Sequence, residues 1–213
     1  MDSAVEKRLF FQKGPVERVG YDSNYNAYWS QKNVLRSWQI DQSVEFDLRN
    51  RWSIELDHTS GYQLFEKKFR NHSSEVQLGY NTRQWQSVAV KYEFGHNFDS
   101  DFRLLGAVLR RKISDDFSVE YELERLWLDP DPEPSSTVIH VFRGVHNFTK
   151  DLFLKVFYQT NSVIDRKNLQ AVFVWRYKPP FGTVQLAYQR GTAAFGQRSD
   201  EGDTLFMKFS YVF

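Results

Sequence analysis

From about residue 36 to the end of the chain, large apolar side chains recur at every second position. Trp38, Ile40, Val44, Phe46 and Leu48 alternate with Gln39, Asp41, Ser43, Glu45 and Asp47. Trp52, Ile54 and Leu56 alternate with Ser53, Glu55 and Asp57, and Val88, Val90, Tyr92 and Phe94 with Ala89, Lys91, Glu93 and Gly95. Phe117, Val119, Tyr121 and Leu123 interleave with Ser118, Glu120, Glu122 and Glu124. A period of two sends successive side chains to opposite faces of a β-strand, and helical spacing is hard to find. The pattern predicts strands at about 36–48, 52–62, 73–82, 85–95, 102–114, 117–128, 136–148, 152–161, 168–178, 183–194 and 204–213. A weaker alternation through Tyr21, Tyr25, Ala27 and Trp29 adds another and brings the expected count to about 12. In 102–113 and 137–148 both faces carry mixed residues, so the pattern alone does not orient those two strands.

The links between these strands read as short and long in turn. Arg49-Asn50, the turn near Arg83, Asp115-Asp116, Lys150-Asp151 and Pro179–Gly182 read as tight; Glu66 to His72, His96 to Asp101, Asp129 to Pro134, Ser162 to Lys167 and Gly196 to Asp203 read as longer and polar. Short turns at one end and longer loops at the other are the habit of outer-membrane barrels. The last segment alternates Leu205, Met207, Phe209, Tyr211 and Phe213 with Phe206, Lys208, Ser210 and Val212. Phe209, Tyr211 and Phe213 have the form of the aromatic C-terminal signal that bacterial barrel-assembly machinery reads, although no glycine follows Gly202. The expected fold is therefore an all-β, antiparallel, up-and-down transmembrane β-barrel over residues 16–213. Residues 1–15, broken by Gly14-Pro15, are expected to be a linker or a plug.

Composition narrows the classes. The 213 residues carry a net charge of +1, which gives no electrostatic case for nucleic acid. Mean hydropathy is −0.59, and no apolar run approaches the ~20 residues of a spanning helix. Yet 17% of residues are aromatic, with 19 Phe, 11 Tyr and 6 Trp, and Trp38, Trp52, Trp127, Trp175, Tyr177 and Tyr211 fall near predicted strand ends. Aromatics gathered at strand ends match a membrane-interface belt. Zero cysteines exclude a disulfide scaffold and a thiolate metal site, and fit an exported bacterial protein. Residues 1–8 lack the apolar region of a signal peptide, so the chain is expected to be a mature form or part of a longer protein.

Phe157–Ser162, Asp165-Arg166 and Trp175–Pro179, with Tyr188 and the aromatic last strand, carry a resemblance. Over about residues 16–213 the chain resembles the C-terminal β-barrel domain of unknown function found in Gram-negative surface proteins, usually behind a family-9-like carbohydrate-binding module. No such module is present in this sequence, and the barrel is shorter than a full-length member's. The resemblance implies location in the bacterial outer membrane, contact with its lipids and lipopolysaccharide, and an N-terminal carbohydrate-binding module in a longer protein. It brings no activity with it.

Candidate chemistry is sparse. His140 and His146 share a predicted strand about 20 Å apart, too far for one metal. His96 with Asp99 or Asp101 is the nearest approach to a rim protease, and an ordinary polar loop explains it. No catalytic set, cofactor motif or metal site is expected. The charges predicted to face the lumen are the distinctive set. Asp41, Glu45, Asp47, Glu55, Asp57, Glu120, Glu122 and Glu124 are acidic, Lys155, Arg176, Lys178 and Lys208 are basic, and Lys91 lies beside Glu93. Opposed walls of this kind either pair and fill a narrow interior or set a transverse field in a wider one. The expected function is a membrane anchor or a passive pore for small polar solutes. The alternatives are a soluble all-β carbohydrate-binding domain and a surface hydrolase.

Overall fold

The computed structural model describes residues 2–130, 136–163, 166–191 and 202–212. These form thirteen strands: β1 (Asp2–Phe10), β2 (Val16–Trp29), β3 (Leu35–Leu48), β4 (Trp52–Leu64), β5 (Lys68–Tyr80), β6 (Ser87–Asn97), β7 (Ser100–Lys112), β8 (Phe117–Asp129), β9 (Thr137–Thr149), β10 (Leu152–Asn161), β11 (Arg166–Lys178), β12 (Gly182–Gly191) and β13 (Gly202–Tyr211). Their order in the sheet is their order in the chain. The protein is an all-β, antiparallel, up-and-down sheet, and the described residues contain no helix.

The count is thirteen rather than about 12 because residues 2–10 form a strand. Little in β1 alternates, yet it pairs with β2 from Asp2↔Asn26 to Phe10↔Arg18. Arg8 lies across Gly20, where a Cβ would stand 3.1 Å from its guanidinium, and its Nη1 reaches Asp22 at 2.8 Å. A backbone ladder and one arginine over a glycine hold a strand that side-chain periodicity does not announce.

The alternation of short and long links is weaker than expected. Only residues 65–67 separate β4 from β5 and only 98–99 separate β6 from β7, whereas residues 81–86 lie between β5 and β6. Lys68, Arg70 and His72 read as loop because they are polar. In the structure Leu64↔Lys68, Tyr62↔Arg70 and Ser60↔His72 continue the ladder.

The chain divides into two compact units: Met1–Ala107 with Arg125–Ser136, and Val108–Glu124 with Thr137–Phe213. In the first, register lines up Phe46, Ile54, Leu78 and Val90, and next to them Val44, Leu56, Val76 and Tyr92. The opposite face carries Glu45, Glu55, Gln77 and Lys91, then Asp47, Ser53, Gly79 and Ala89. The apolar face is the exposed one. Leu78 is 47% exposed and Val90 45%, whereas Asp47 is 3% and Ser53 8%.

The second unit has the same polarity. Leu154, Phe173, Leu186 and Met207 form one apolar cross-strand row and Val156, Ala171, Tyr188 and Leu205 another. Phe173, Leu186, Leu205 and Met207 are all exposed. Among the described residues the buried hydrophobic side chains are Ala27, Val141 and Val174.

Contacts also orient the two strands that the pattern left open. Leu105 and Leu109 of β7 are exposed while Gly106 is buried and Arg110 turns to Glu120. In β9, His140 meets the Tyr121 hydroxyl on the apolar side and Arg143 meets Glu120 on the charged side.

One glycine fixes the register of β5 on β6. A Cβ on Gly95 would overlap the His72 carbonyl and stand 2.7 Å from Ser73 Cα. We predict that Gly95→Val costs about 1–3 kcal/mol through overpacking. It should also speed amide exchange at His72 and Phe94 relative to Leu78 and Val90; unchanged exchange at those amides would show that the two backbones do not approach in this way.

Candidate functional site

The charged face is built by the strand positions that alternate with the exposed apolar ones, and arginines organise it. In the first unit the centre is Asp47, at the end of β3, with its side chain 4% exposed. Arg18 of β2 donates from Nε to Asp47 Oδ2 at 2.5 Å and from Nη2 to Glu45 Oε2 at 2.6 Å. Arg83 approaches the same Asp47 oxygen with Nη2 at 2.5 Å and donates from Nη1 to Glu17 at 3.1 Å. Two guanidinium groups thus compensate one buried carboxylate, whose isolated burial would be costly.

Arg83 belongs to the link 81–86, which folds over the charged face at the end of the sheet. Asn81 N–H donates to the Arg51 carbonyl at 2.7 Å, and the Ser53 and Thr82 hydroxyls meet at 3.0 Å. Gly79 is required there, since a Cβ would overlap Thr82 and lie 2.7 Å from Ser53 Oγ. The hydrogen bond to Asp47 holds the Arg83 guanidinium above its ordinary pKa against the opposing effect of desolvation.

Further along this unit, Lys91 Nζ reaches Glu75 at 3.3 Å with its stem against Gly106. Gln77 donates to Glu55 at 3.1 Å, and Asp41 accepts from Thr59 and Gln39, each at 2.8 Å. Asp57 stands in register with Ser43 and Glu75, and Glu93 with Glu75. The acidic middle of the face is therefore tied by one lysine and by neutral donors.

In the second unit Arg110 Nε donates to Glu120 at 2.5 Å, and Arg143 bridges Glu120 and, at 2.8 Å, Glu122. Glu124 follows Glu122 on the same strand face. Arg143 also lies over Phe157, while Lys155 and Arg176 both lie over Phe153 at 5.4 Å. Lys208 faces Gln185 in register. Lys178 turns to an aromatic: its Nζ donates to the Tyr211 hydroxyl at 3.0 Å.

Several of the predicted charges thus meet partners of opposite charge. Glu45, Asp47, Glu120 and Glu122 pair with Arg18, Arg83, Arg110 and Arg143, none of which the sequence reading singled out. A signal was present for Arg110, since it and Glu120 are equidistant from Asp115 in the turn between their strands.

Of the C-terminal aromatics, Phe209 stacks on Tyr177 at 5.5 Å, Tyr211 holds Lys178, and Phe213 lies outside the described residues. Trp52 meets Tyr80 edge-on at 5.3 Å, and Trp175 meets Tyr177 at 6.0 Å.

The histidines lie with the exposed apolar positions. His58 has Ser74 Oγ at 2.9 Å on Nδ1 and Ser60 Oγ at 3.0 Å on Nε2. A serine on each nitrogen leaves neither held by the carboxylate or amide that orients a hydrolytic base. His72 stacks on His96 at 6.2 Å, and His96 Nδ1 meets Asp101 at 2.7 Å. Among the described residues no group of three or more His, Cys, Asp or Glu is placed to hold a metal ion. No family model, curated protein or solved structure matches the chain.

The ion-pair geometry ranks its members. Asp47→Ala would leave two cations facing a buried gap and is expected to cost about 3–5 kcal/mol in urea unfolding. Arg83→Gln, at a half-exposed side chain, should cost less than about 1 kcal/mol. Equal losses at the two positions would mean that Asp47 is not the centre of the cluster.

Proposed function

We propose that this chain is an outer-membrane β-barrel in which the apolar face meets lipid and the charged face lines the lumen. It serves as a membrane anchor or as a passive pore for small polar solutes. The observation that carries this reading is the polarity of the sheet: rows of Leu, Val, Phe and Met are exposed, while the ion-paired carboxylates are the shielded side chains. In water an exposed apolar face costs about 25 cal/mol per Å², a penalty that lipid removes.

Dimensions support the same reading. A strand of 13 residues such as β4, β5 or β8 extends ~43 Å. Tilted ~45°, it rises ~30 Å, enough for the ~25 Å apolar band and a polar fringe at each end. The outward Lys68, Arg70 and His72 suit such a fringe, and the Trp52–Tyr80 and Trp175–Tyr177–Phe209 clusters suit aromatic girdles. The resemblance to the barrel domain of Gram-negative surface proteins agrees with this placement. Assembly would pass through the barrel-assembly machinery, with the aromatic last strand as signal. Transport, where it occurs, needs no reaction: the lumen selects by width and charge.

Three outcomes follow. Protein refolded in detergent should migrate differently on a denaturing gel before and after boiling; absence of a shift, with folded monodisperse protein in plain buffer, would overturn the membrane reading. Leu78→Arg should cost about 2–4 kcal/mol in a lipid bilayer. If this side were ordinary wetted surface, the change would stay within about 0.5 kcal/mol. Step currents in planar bilayers would establish the pore; a heat-modifiable protein without them would be an anchor only.

A further inference from the structure

We infer that the charged face of the first unit ends, away from Arg83, in a binding site for a neutral hydroxyl-rich solute of mono- or disaccharide size. The inference rests on reading this face as the lumen of a membrane barrel, through which such a solute would arrive.

The face is graded along the strands. At the Arg83 end lie Arg18, Glu45, Asp47 and Arg83, all charged. The next register rows hold Asp57, Glu75 and Glu93, then Asp41, Thr59 and Ser73. Beyond them a single cross-strand row carries Asn26, Gln39, Gly61 and Asn71, and Asn97 follows His96, the partner of His72. The three amides of this row, with Asn97 and with Gln63 from the next row, line one cavity of about 730 Å³. That volume is typical of a small-molecule site.

The chemistry of the lining points to the ligand class. A side-chain amide offers both donors and an acceptor, as a hydroxyl does, so a row of amides can satisfy a polyol in many orientations. Gly61 interrupts the row at its centre and leaves the wall without a side chain there. Tyr28 and Phe102 add aromatic surface to the same cavity, suited to the C–H face of a sugar ring. Asp2 and Glu93 also line the cavity, and a carboxylate accepts hydrogen bonds from sugar hydroxyls as an amide oxygen does; Asp41, the nearest carboxylate on β3, already accepts from Thr59 and Gln39. An anionic solute would find its cationic partners, Arg18 and Arg83, at the opposite end.

The test uses the detergent-folded protein, run on a denaturing gel before and after boiling, with glucose and maltose as probes and citrate and lysine as charged controls. Calorimetry should show saturable maltose binding. Asn26→Leu and Gln39→Leu together should weaken it at least about tenfold, because each removes hydrogen bonds that the amides make to the solute. Asn71→Asp keeps the acceptor that holds the Phe98 N–H and tests the row without disturbing the neighbouring link. It should also weaken maltose binding, whereas Arg83→Gln should leave it unchanged.

A heat-modifiable protein that binds no saccharide, binds it equally well in the amide variants, or prefers citrate or lysine overturns the inference and leaves the barrel standing. A protein with no gel shift that still binds maltose through Asn26 and Gln39 overturns the barrel and leaves the site standing.

Discussion

A sheet whose strands carry apolar residues on one side and charges on the other can shield only one of them, and here the charged side is shielded. What permits this is the pairing of the most shielded carboxylates, Asp47 and Glu120, with arginine. Asp47 has two guanidinium groups and Glu120 has two, one from each neighbouring strand in the latter case. Without these contacts the desolvation of the acids would cost several kcal/mol per group, and turning the sheet the other way would be favoured. The apolar face is then the exposed one, the side that the proposed membrane reading gives to lipid. The exposed Leu78, Val90, Phe173 and Met207 are the counterpart of the buried Asp47.

The same pairing grades the charged face along the strand axis. Charges are concentrated where the 81–86 link folds over the charged face and Arg83 ties β2 and β3 together. Neutral amides occupy the far end of the same unit. A lumen built this way would present a solute with successive chemistries instead of one uniform wall. In the second unit, cations rest on Phe153 and Phe157, so part of the basic charge is met by aromatic faces, which attract it through their quadrupoles.

Much of this was legible from alternation alone. The period of two located β3 through β13 with small boundary errors and gave the correct face for Val76, Leu78, Val88 and Val90. β1 was not legible, because a strand held by backbone pairing and by Arg8 over Gly20 needs no apolar period. The starts of β5 and β7 were hidden because polar strand ends have the composition of loops. The list of acids anticipated the charged face, but their partners escaped notice. Arg18 sits in a weakly patterned strand, Arg83 in a link, and Arg110 and Arg143 in the two strands whose faces were mixed. Which arginine meets which acid depends on register and on how a link folds, and one-dimensional periodicity carries neither.

The claim on which the account turns is that the apolar face meets lipid. Because the chain has no cysteine, single nitroxide labels can be placed at Val76, Gln77, Leu78, Val88, Ala89 and Val90 in bilayer-reconstituted protein. Their relaxation can then be compared with oxygen and with a water-soluble nickel chelate. Oxygen should dominate at Val76, Leu78, Val88 and Val90 and fall at Gln77 and Ala89, a period of two in phase with the apolar rows. Labels at Val76, Leu78, Val88 and Val90 that are shielded from both reagents, or open to the nickel chelate, would show instead that this face packs against protein or water, and the account would fail.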